Sequence, residues 1–293
     1  MNSSDGLGPL GVWGHLDSLS VDNLRGYARC VEELGYTALW VPETVGRDPF
    51  ALLALVAADT TTIRLGTSIA SIWARDAQTT RMAAMTLQEA TAGRFVLGLG
   101  VSHPHLVERL RGHTFDRPLT RMRDYLAAYR SAIYKGPMTD GWHEPPVMIA
   151  ALRERMTDLA RTDADGAFPY LVTAERLHSL RERLQTGLLA VTLPVVLETD
   201  SAGARTAARA YLAPYLRTPT YQASWELQGF EPADWEKPGS DRLVDAMVAW
   251  GDAAVIHARI AEMEVAGADH VALIPIAPDG TTEHLPTIEA LAR

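Results

Sequence analysis

Ala92-Gly-Arg-Phe-Val-Leu-Gly-Leu-Gly-Val-Ser-His103 decides how this chain is read. Arg94 to Leu97 is apolar and partly β-branched, the pattern of a short buried strand. The strand is expected to break into Gly98-Leu99-Gly100. Glycine lacks a Cβ, so backbone there can take unusual dihedrals and approach a ligand closely. Val101, Ser102 and His103 follow, then Pro104. A buried strand that opens into a loop with a hydroxyl and an imidazole reads as one wall of a cofactor pocket.

Outward from this stretch, short apolar strands alternate with amphipathic helices. Strands are expected at Leu10–Trp13, Ala38–Val41, Ile63–Ala70, Arg94–Leu97, Val147–Ala150, Gly166–Phe168, Val191–Leu197 and His270–Ile276. Helices are expected at Val21–Leu34, Asp76–Ala90, Pro118–Ile133, from Val147–Ala150 on to Arg161, Thr173–Leu184, Asp200–Leu212 and from about Thr282. Gly35 is expected to end the first helix, and Thr173 and Asp200 to cap theirs. Strands alternating with helices in this order predict a parallel (β/α)8 barrel, an α/β TIM fold. A doubly wound sheet would want a glycine-rich turn after the first strand, and Gly11-Val-Trp-Gly-His15 does not supply one. Residues 213–250, with Trp225, Trp235 and several prolines, read as an insertion before the eighth strand. Its aromatics are expected to cover a partner subunit or cap the pocket. The whole chain, 1–293, reads as one domain.

The 293 residues are 47% hydrophobic and carry a net charge of −9. The hydrophobic content supports a large core. The acidic balance argues against nucleic acid, which demands a basic face. Cys30 is the single cysteine, so neither an internal disulfide nor a cysteine zinc cluster is expected. Met1-Asn-Ser-Ser-Asp-Gly6 does not read as a signal peptide. The longest apolar run, Phe50–Ala58, is too short to span a bilayer. A cytoplasmic protein with no membrane partner is the expectation.

In a parallel barrel the active site lies at the C-terminal ends of the strands. That rule selects Trp13 and His15; Pro42, Glu43 and Thr44; Ser68 to Ser71, Trp73 and Arg75; Gly100 to His103; Ala151 to Arg153; and Phe168 to Tyr170. The set is apolar and aromatic, and Glu43 is its one acid at a strand end. Paired-carboxylate hydrolysis wants two. His103 and His105 have ligand-like spacing, but Pro104 lies between them and no acid is near, so no metal is expected. Gly66-Thr-Ser68-Ile-Ala70 matches part of a nucleophile elbow but lacks its last glycine and a following helix. A flat hydrophobic ligand held by backbone, serine hydroxyls and an imidazole fits better. Each choice has a plainer counterpart. Glu43 pairs with Arg47 or Arg75, Trp13 and Trp73 are core aromatics, His103 is a rim histidine, and Arg121, Arg123 and Arg130 form a solvated face.

Three segments carry a resemblance: Glu33-Leu-Gly-Tyr-Thr-Ala-Leu-Trp-Val-Pro-Glu43, Gly66-Thr-Ser-Ile-Ala-Ser-Ile-Trp-Ala-Arg-Asp76 and Gly93-Arg-Phe-Val-Leu-Gly-Leu-Gly-Val-Ser-His103. They resemble the bacterial luciferase-like superfamily, in particular its branch of oxidoreductases dependent on the deazaflavin coenzyme F420. Arg117–Tyr125, Ala164–Tyr170, Leu212–Leu216, Ser240–Gly251 and Gly267–Val271 agree, so the likeness covers nearly the whole chain. The resemblance implies a barrel with an insertion, a homodimer and a small-molecule substrate. It also implies a non-prolyl cis peptide at Ser68–Ile69, with Ser68, Ile69, Ala70, Gly100, Val101 and Ser102 around the cofactor ring. Glu43 is implied near the ring's pyrimidine edge or the substrate. His103 is then the expected proton donor or acceptor. Trp13, Thr44, Trp73 and Phe168 are expected to line the substrate pocket.

Thr44 stands where the branch's sugar-phosphate dehydrogenases place a histidine, and His103 where they place an acid, so their reaction is not expected here. After the fifth strand the branch shows Ala-Ala-Leu-Gly-Pro, whose amides approach the cofactor phosphate at a helix N-terminus. This chain has Ala150-Ala151-Leu152-Arg153-Glu154, where Arg153 pairs a phosphate or fills the space. Phe168 replaces a usual histidine. The first expectation is therefore an F420-dependent hydride-transfer enzyme. FMN with oxygen, as in monooxygenases of the superfamily, is the alternative. A barrel that has lost its redox cofactor and binds a metabolite or does non-redox chemistry is the third, motivated by Arg153 and Phe168.

Overall fold

Leu10–Trp13 (β1), Ala38–Val41 (β2), Arg64–Thr67 (β3), Ala70–Ser71 (β4), Phe95–Gly100 (β5), Val147–Ile149 (β6), Gly166–Ala167 (β7), Leu188–Leu197 (β8), Ala249–Gly251 (β9) and His270–Ile276 (β10) pair in parallel. The computed structural model describes residues 7–138, 143–278 and 285–293. The ring runs β10-β1-β2-β3-β5-β6-β7-β8 and closes where β8 meets β10, His270 opposite Ala190. This is an eight-stranded TIM barrel. β4 continues β3 along β5, and β9 lies along the far end of β8, Val195 opposite Ala249.

Two expected strands change shape. Ile63–Ala70 is interrupted by a cis peptide at Ser68–Ile69, and β4 resumes beyond it. The strand expected at Arg94–Leu97 does not break at its glycines. β5 runs through Gly98 and Gly100, neither with a positive φ. Their reason is crowding by the neighbouring strand, not ligand approach. A Cβ at Gly98 would sit 2.0 Å from the Thr67 carbonyl oxygen, and one at Gly100 2.5 Å from the Ile69 side chain. Thr67 occupies the space, donating its hydroxyl to the Gly98 carbonyl at 2.8 Å and accepting the Gly98 N–H at 2.9 Å.

Helices Val21–Glu33 (α1), Ala77–Ala90 (α3), Pro118–Ser131 (α4), Glu154–Asp163 (α5), Ala174–Leu184 (α6) and Ser201–Leu212 (α7) lie where periodicity puts them. Ser20, Asp76, Thr173 and Asp200 each accept a backbone N–H at an N-terminus. Leu34 closes α1, and Gly35 follows at φ +84°. Pro49–Ala57 (α2) was legible only as an apolar run. Asp48 caps it, Pro49 opens it, and six of its nine residues are buried. Pro219–Glu226 (α8), Pro232–Trp235 (α9) and Asp241–Met247 (α10) occupy the 213–250 segment, followed by Ala253–Val265 (α11). The final helix was expected from Thr282, which lies outside the described residues. Leu285–Leu291 (α12) is its described part. The opening hexapeptide, read for a leader, also lies outside them. Among the described residues no helix is long and apolar enough to cross a membrane.

The barrel interior is filled around Trp40, which is fully buried. Its ring meets Phe168 edge-on at 4.8 Å, and its Nε1–H donates to His270 Nε2 at 2.9 Å. His270 Nδ1 lies 2.7 Å from the Gly8 carbonyl, so that nitrogen carries the proton. Gly66 makes room for Trp40: a Cβ there would lie 2.3 Å from the ring. Phe168 and Trp40 thus form a floor beneath the strand ends. Gly98→Ala forces Thr67 or β5 to shift, and is expected to cost at least about 1–3 kcal/mol, read as a lowered urea midpoint. An unchanged midpoint would contradict this packing.

Candidate active site

At the C-terminal rim lies a cavity of about 330 Å³, within the range of small-molecule sites. Of the residues named from sequence, Trp13, Glu43, Thr44, Ser68, Ile69, Gly100, Val101, Ser102, His103, Arg153 and Phe168 line it. Ala70, Ala151 and Trp73 do not. Ala70 pairs with Leu99 inside the sheet and is buried, as is Ala151. Trp73 stands behind the wall, its Nε1–H donating to the Val101 carbonyl at 2.9 Å and its ring covered by the Arg121 guanidinium at 5.3 Å. Arg121 also pairs with Asp116, so its place is not a purely solvated face.

The cis dipeptide is held at both carbonyls. Trp13 Nε1–H donates to the Ser68 carbonyl at 2.8 Å, and the Glu43 N–H to that of Ile69 at 3.2 Å. The Glu43 carboxylate, 7% exposed, is fully engaged. It accepts the Ser71 N–H at 2.7 Å, Arg75 through both terminal nitrogens at 3.0 and 3.1 Å, and Arg111 at 3.2 Å. Asp48 also pairs with Arg75, at 2.5 Å. Two acids and two guanidiniums cancel. The plainer sequence reading of Glu43, a partner of Arg75, describes its contacts, and the carboxylate ties together the loops after β2, β4 and β5.

His103 is the exceptional polar group. It is half-buried, stacked on His105 at 6.0 Å and tilted against Tyr221 at 5.3 Å. Its Nδ1 is buried without a partner. Burial, and secondarily the charge of His105, pushes its pKa down to about 4. A neutral imidazole is therefore in place at pH 7, able to accept a hydrogen bond or a proton; it is not a standing acid. Ser102, next to it, has a left-handed backbone at φ +56°. Thr44 donates its hydroxyl to Asp17 at 3.1 Å. Arg153 is exposed at the mouth, the residue just before α5. Phe168 belongs to the floor.

Sequence reasoning missed the far wall. Tyr215, Thr220 and Tyr221 come from the inserted segment, and Thr192 from β8. Thr192 Oγ1 is a second buried atom without a partner. The two tryptophans that drew attention to the insertion do not cap the cavity; Trp225 is buried within the segment and packs near Trp235, 6.4 Å between centroids. The spacing of Tyr211 and Tyr215, one helical turn, was the available signal. Among the described residues no group of three or more His, Cys, Asp or Glu gathers as a metal site.

A closed parallel barrel with an apolar rim cavity backed by a cis dipeptide defines the class. The chain belongs to the luciferase-like monooxygenase family, whose sequence pattern matches residues 7–270. A Mycobacterium tuberculosis protein, provisionally named a coenzyme F420-dependent oxidoreductase, is 27% identical over 248 residues, covering 71% of each chain. The coenzyme F420-dependent tetrahydromethanopterin reductase of Methanopyrus kandleri superposes with a TM-score of 0.76 at 16% identity, over 98% of this chain and 97% of that one. The oxygenating constituent of 3,6-diketocamphane monooxygenase from Pseudomonas putida, solved with FMN, gives 0.72 at 15% identity over 98% and 97%. These structural likenesses concern the fold.

Glu43→Gln removes one charge from a balanced cluster and leaves two buried guanidiniums short of a partner. It is expected to cost about 2–3 kcal/mol, less than a fully buried pair because Arg111 is partly exposed, measured by urea unfolding. A second expectation concerns acid. His270, like His103, is pushed down to about 4 by burial. Both folded pKa values lie below the ordinary 6.5, so the neutral forms favour the fold above pH 6.5. Stability falls as pH drops from 6.5 toward 4, by up to about 1.4 kcal/mol per pH unit for each histidine. Imidazole NMR titration with parallel melts checks this; either histidine titrating near 6.5 would contradict the burial argument.

Proposed function

We propose that this chain is an oxidoreductase that binds coenzyme F420 at the barrel rim and acts on a small organic molecule. The observation that carries the reading is the cavity itself. One wall is main chain at Ser68–Ile69 and Gly100–Ser102, the floor is Phe168 over Trp40, and His103, whose pKa burial lowers, lines the same space. A planar apolar ring with a few polar edge atoms fits such a surface. The resemblance of relatives named for F420 supports the same cofactor.

When bound, the deazaflavin would supply or take up the hydride; that chemistry is the cofactor's own. The chain's part is position. Ser68, Ile69, Ala70 and Gly100 to Ser102 would back the ring, with Ala70 acting through the sheet behind it. The buried Ala151 packs behind the wall, while Arg153, at the entry to α5, would hold the phosphate end by paired hydrogen bonds. Its exposure at the mouth leaves the hollow open, which weighs against the non-redox reading. Trp13, Thr44 and Phe168 would border the substrate. His103 would accept a proton or hydrogen bond at Nδ1. Glu43 acts as a positioning residue, holding three loops in register.

The family's monooxygenase description supports a second reading, FMN with oxygen as co-substrate. Titration of the full chain with coenzyme F420 and with FMN, followed by fluorescence, separates the readings. F420 is expected to bind at least about tenfold more tightly, roughly 1.4 kcal/mol. Tighter FMN binding selects the second reading. Binding of neither contradicts both.

A further inference from the structure

Four tyrosines stand together at the far wall of the cavity: Tyr170 after β7 and Tyr215 in the turn after α7, both half-buried, and Tyr211 on α7 and Tyr221 on α8, both buried. Their hydrogen bonds have a direction. Tyr170 donates to the Tyr215 oxygen at 2.9 Å. In the contact between Tyr170 and Tyr211 either oxygen can be the donor. Tyr215 is the acceptor in both of its contacts, from Tyr170 and from Tyr211, and among the described residues no bond that it donates is seen. Tyr215 lines the cavity, so its proton is the one left for a ligand. A hydroxyl that already accepts a bond is a stronger donor, because linked hydrogen bonds polarise one another.

The same cavity is also lined by His103 and Thr192, whose buried Nδ1 and Oγ1 have no partner. Its full charges are two: Glu43, neutralised by Arg75 and Arg111, and Arg153, exposed at the mouth. Most of the remaining surface is apolar or aromatic, including Trp13 and Phe168, and the rings of Tyr170 and Tyr221 stand against Tyr215. A charged ligand would lose water without gaining a counter-charge. An uncharged apolar molecule with one oxygen needs no counter-charge and can take the Tyr215 proton.

We infer that Tyr215 is the hydrogen-bond donor of an oxygen-recognising subsite, built by the inserted segment, for an uncharged, ring-bearing ketone or alcohol. That this oxygen belongs to a substrate rests on the redox reading above; that the subsite takes an oxygen does not.

The test uses the full chain without cofactor, with acetophenone and its hydrocarbon analogue ethylbenzene as probes, followed by ligand-detected NMR and by the infrared carbonyl stretch. The wild type is expected to prefer the ketone by about five- to tenfold, the range of one made hydrogen bond, with a carbonyl stretch shifted to lower frequency. Tyr215→Phe keeps the ring, so ethylbenzene should bind within about twofold of wild type, while the preference and the shift disappear. Tyr221→Phe should keep both. The assignment is overturned if Tyr215→Phe retains the preference, if both probes weaken equally in it, if Tyr221→Phe is the variant that abolishes it, or if the wild type shows no preference. If F420 and FMN fail to bind while the ketone result holds, the redox reading falls and the subsite stands.

Discussion

One carboxylate governs the geometry of the rim. Glu43 follows β2, yet its oxygens accept the backbone N–H of Ser71 at the end of β4, the guanidinium of Arg75, and that of Arg111 from the segment after β5. Its own N–H meets the Ile69 carbonyl. Three strand-end loops are thereby referred to one point. The charge of the cluster sums to zero with Asp48 included, so the clamp orders the wall without placing a field across the cavity. A buried, balanced ion cluster is weak evidence for stability in general. Its value here is positional: the carboxylate and backbone N–H of Glu43 tie the cis dipeptide, the end of β4 and the loop after β5 to one point.

The cavity is thus two structures joined. One side is barrel: strand-end main chain, the Trp40–Phe168 floor and His103. The other joins the insertion to its neighbours: Tyr215 and Tyr221 of the inserted segment cluster with Tyr170 after β7 and Tyr211 on α7. The barrel side is suited to a flat ring, and the insertion side to a small apolar ligand with a single oxygen. His103 faces both, desolvated and neutral, with Tyr221 against its ring. Division of labour between a rigid scaffold and variable connecting segments is what parallel barrels permit, because each loop can change while the strands stay in register.

The barrel side was legible because its signals are local. Apolar runs, capping residues and strand-end positions named the ring of strands and most of one wall. Errors arose where the deciding atom belonged to another element. Gly98 looked like a site for ligand approach, whereas the nearest atom is the Thr67 carbonyl. Trp73 looked like pocket lining, yet its ring turns to Arg121 and its N–H to Val101. Helix α2 lacks an exposed polar stripe, so periodicity could not mark it. The tyrosine wall left only Tyr170 at a strand end and the spacing of Tyr211 and Tyr215 as signals, because residues 170, 211, 215 and 221 come from separate elements.

A crystal structure of the full chain grown with coenzyme F420 tests the central claim most directly. The account predicts a planar ring lodged in the rim cavity against the wall formed by Ser68–Ile69 and Gly100–Ser102, with its phosphate end toward Arg153 and the His103 ring beside the ligand. A ring bound elsewhere on the protein, with the rim cavity left to solvent, would contradict it.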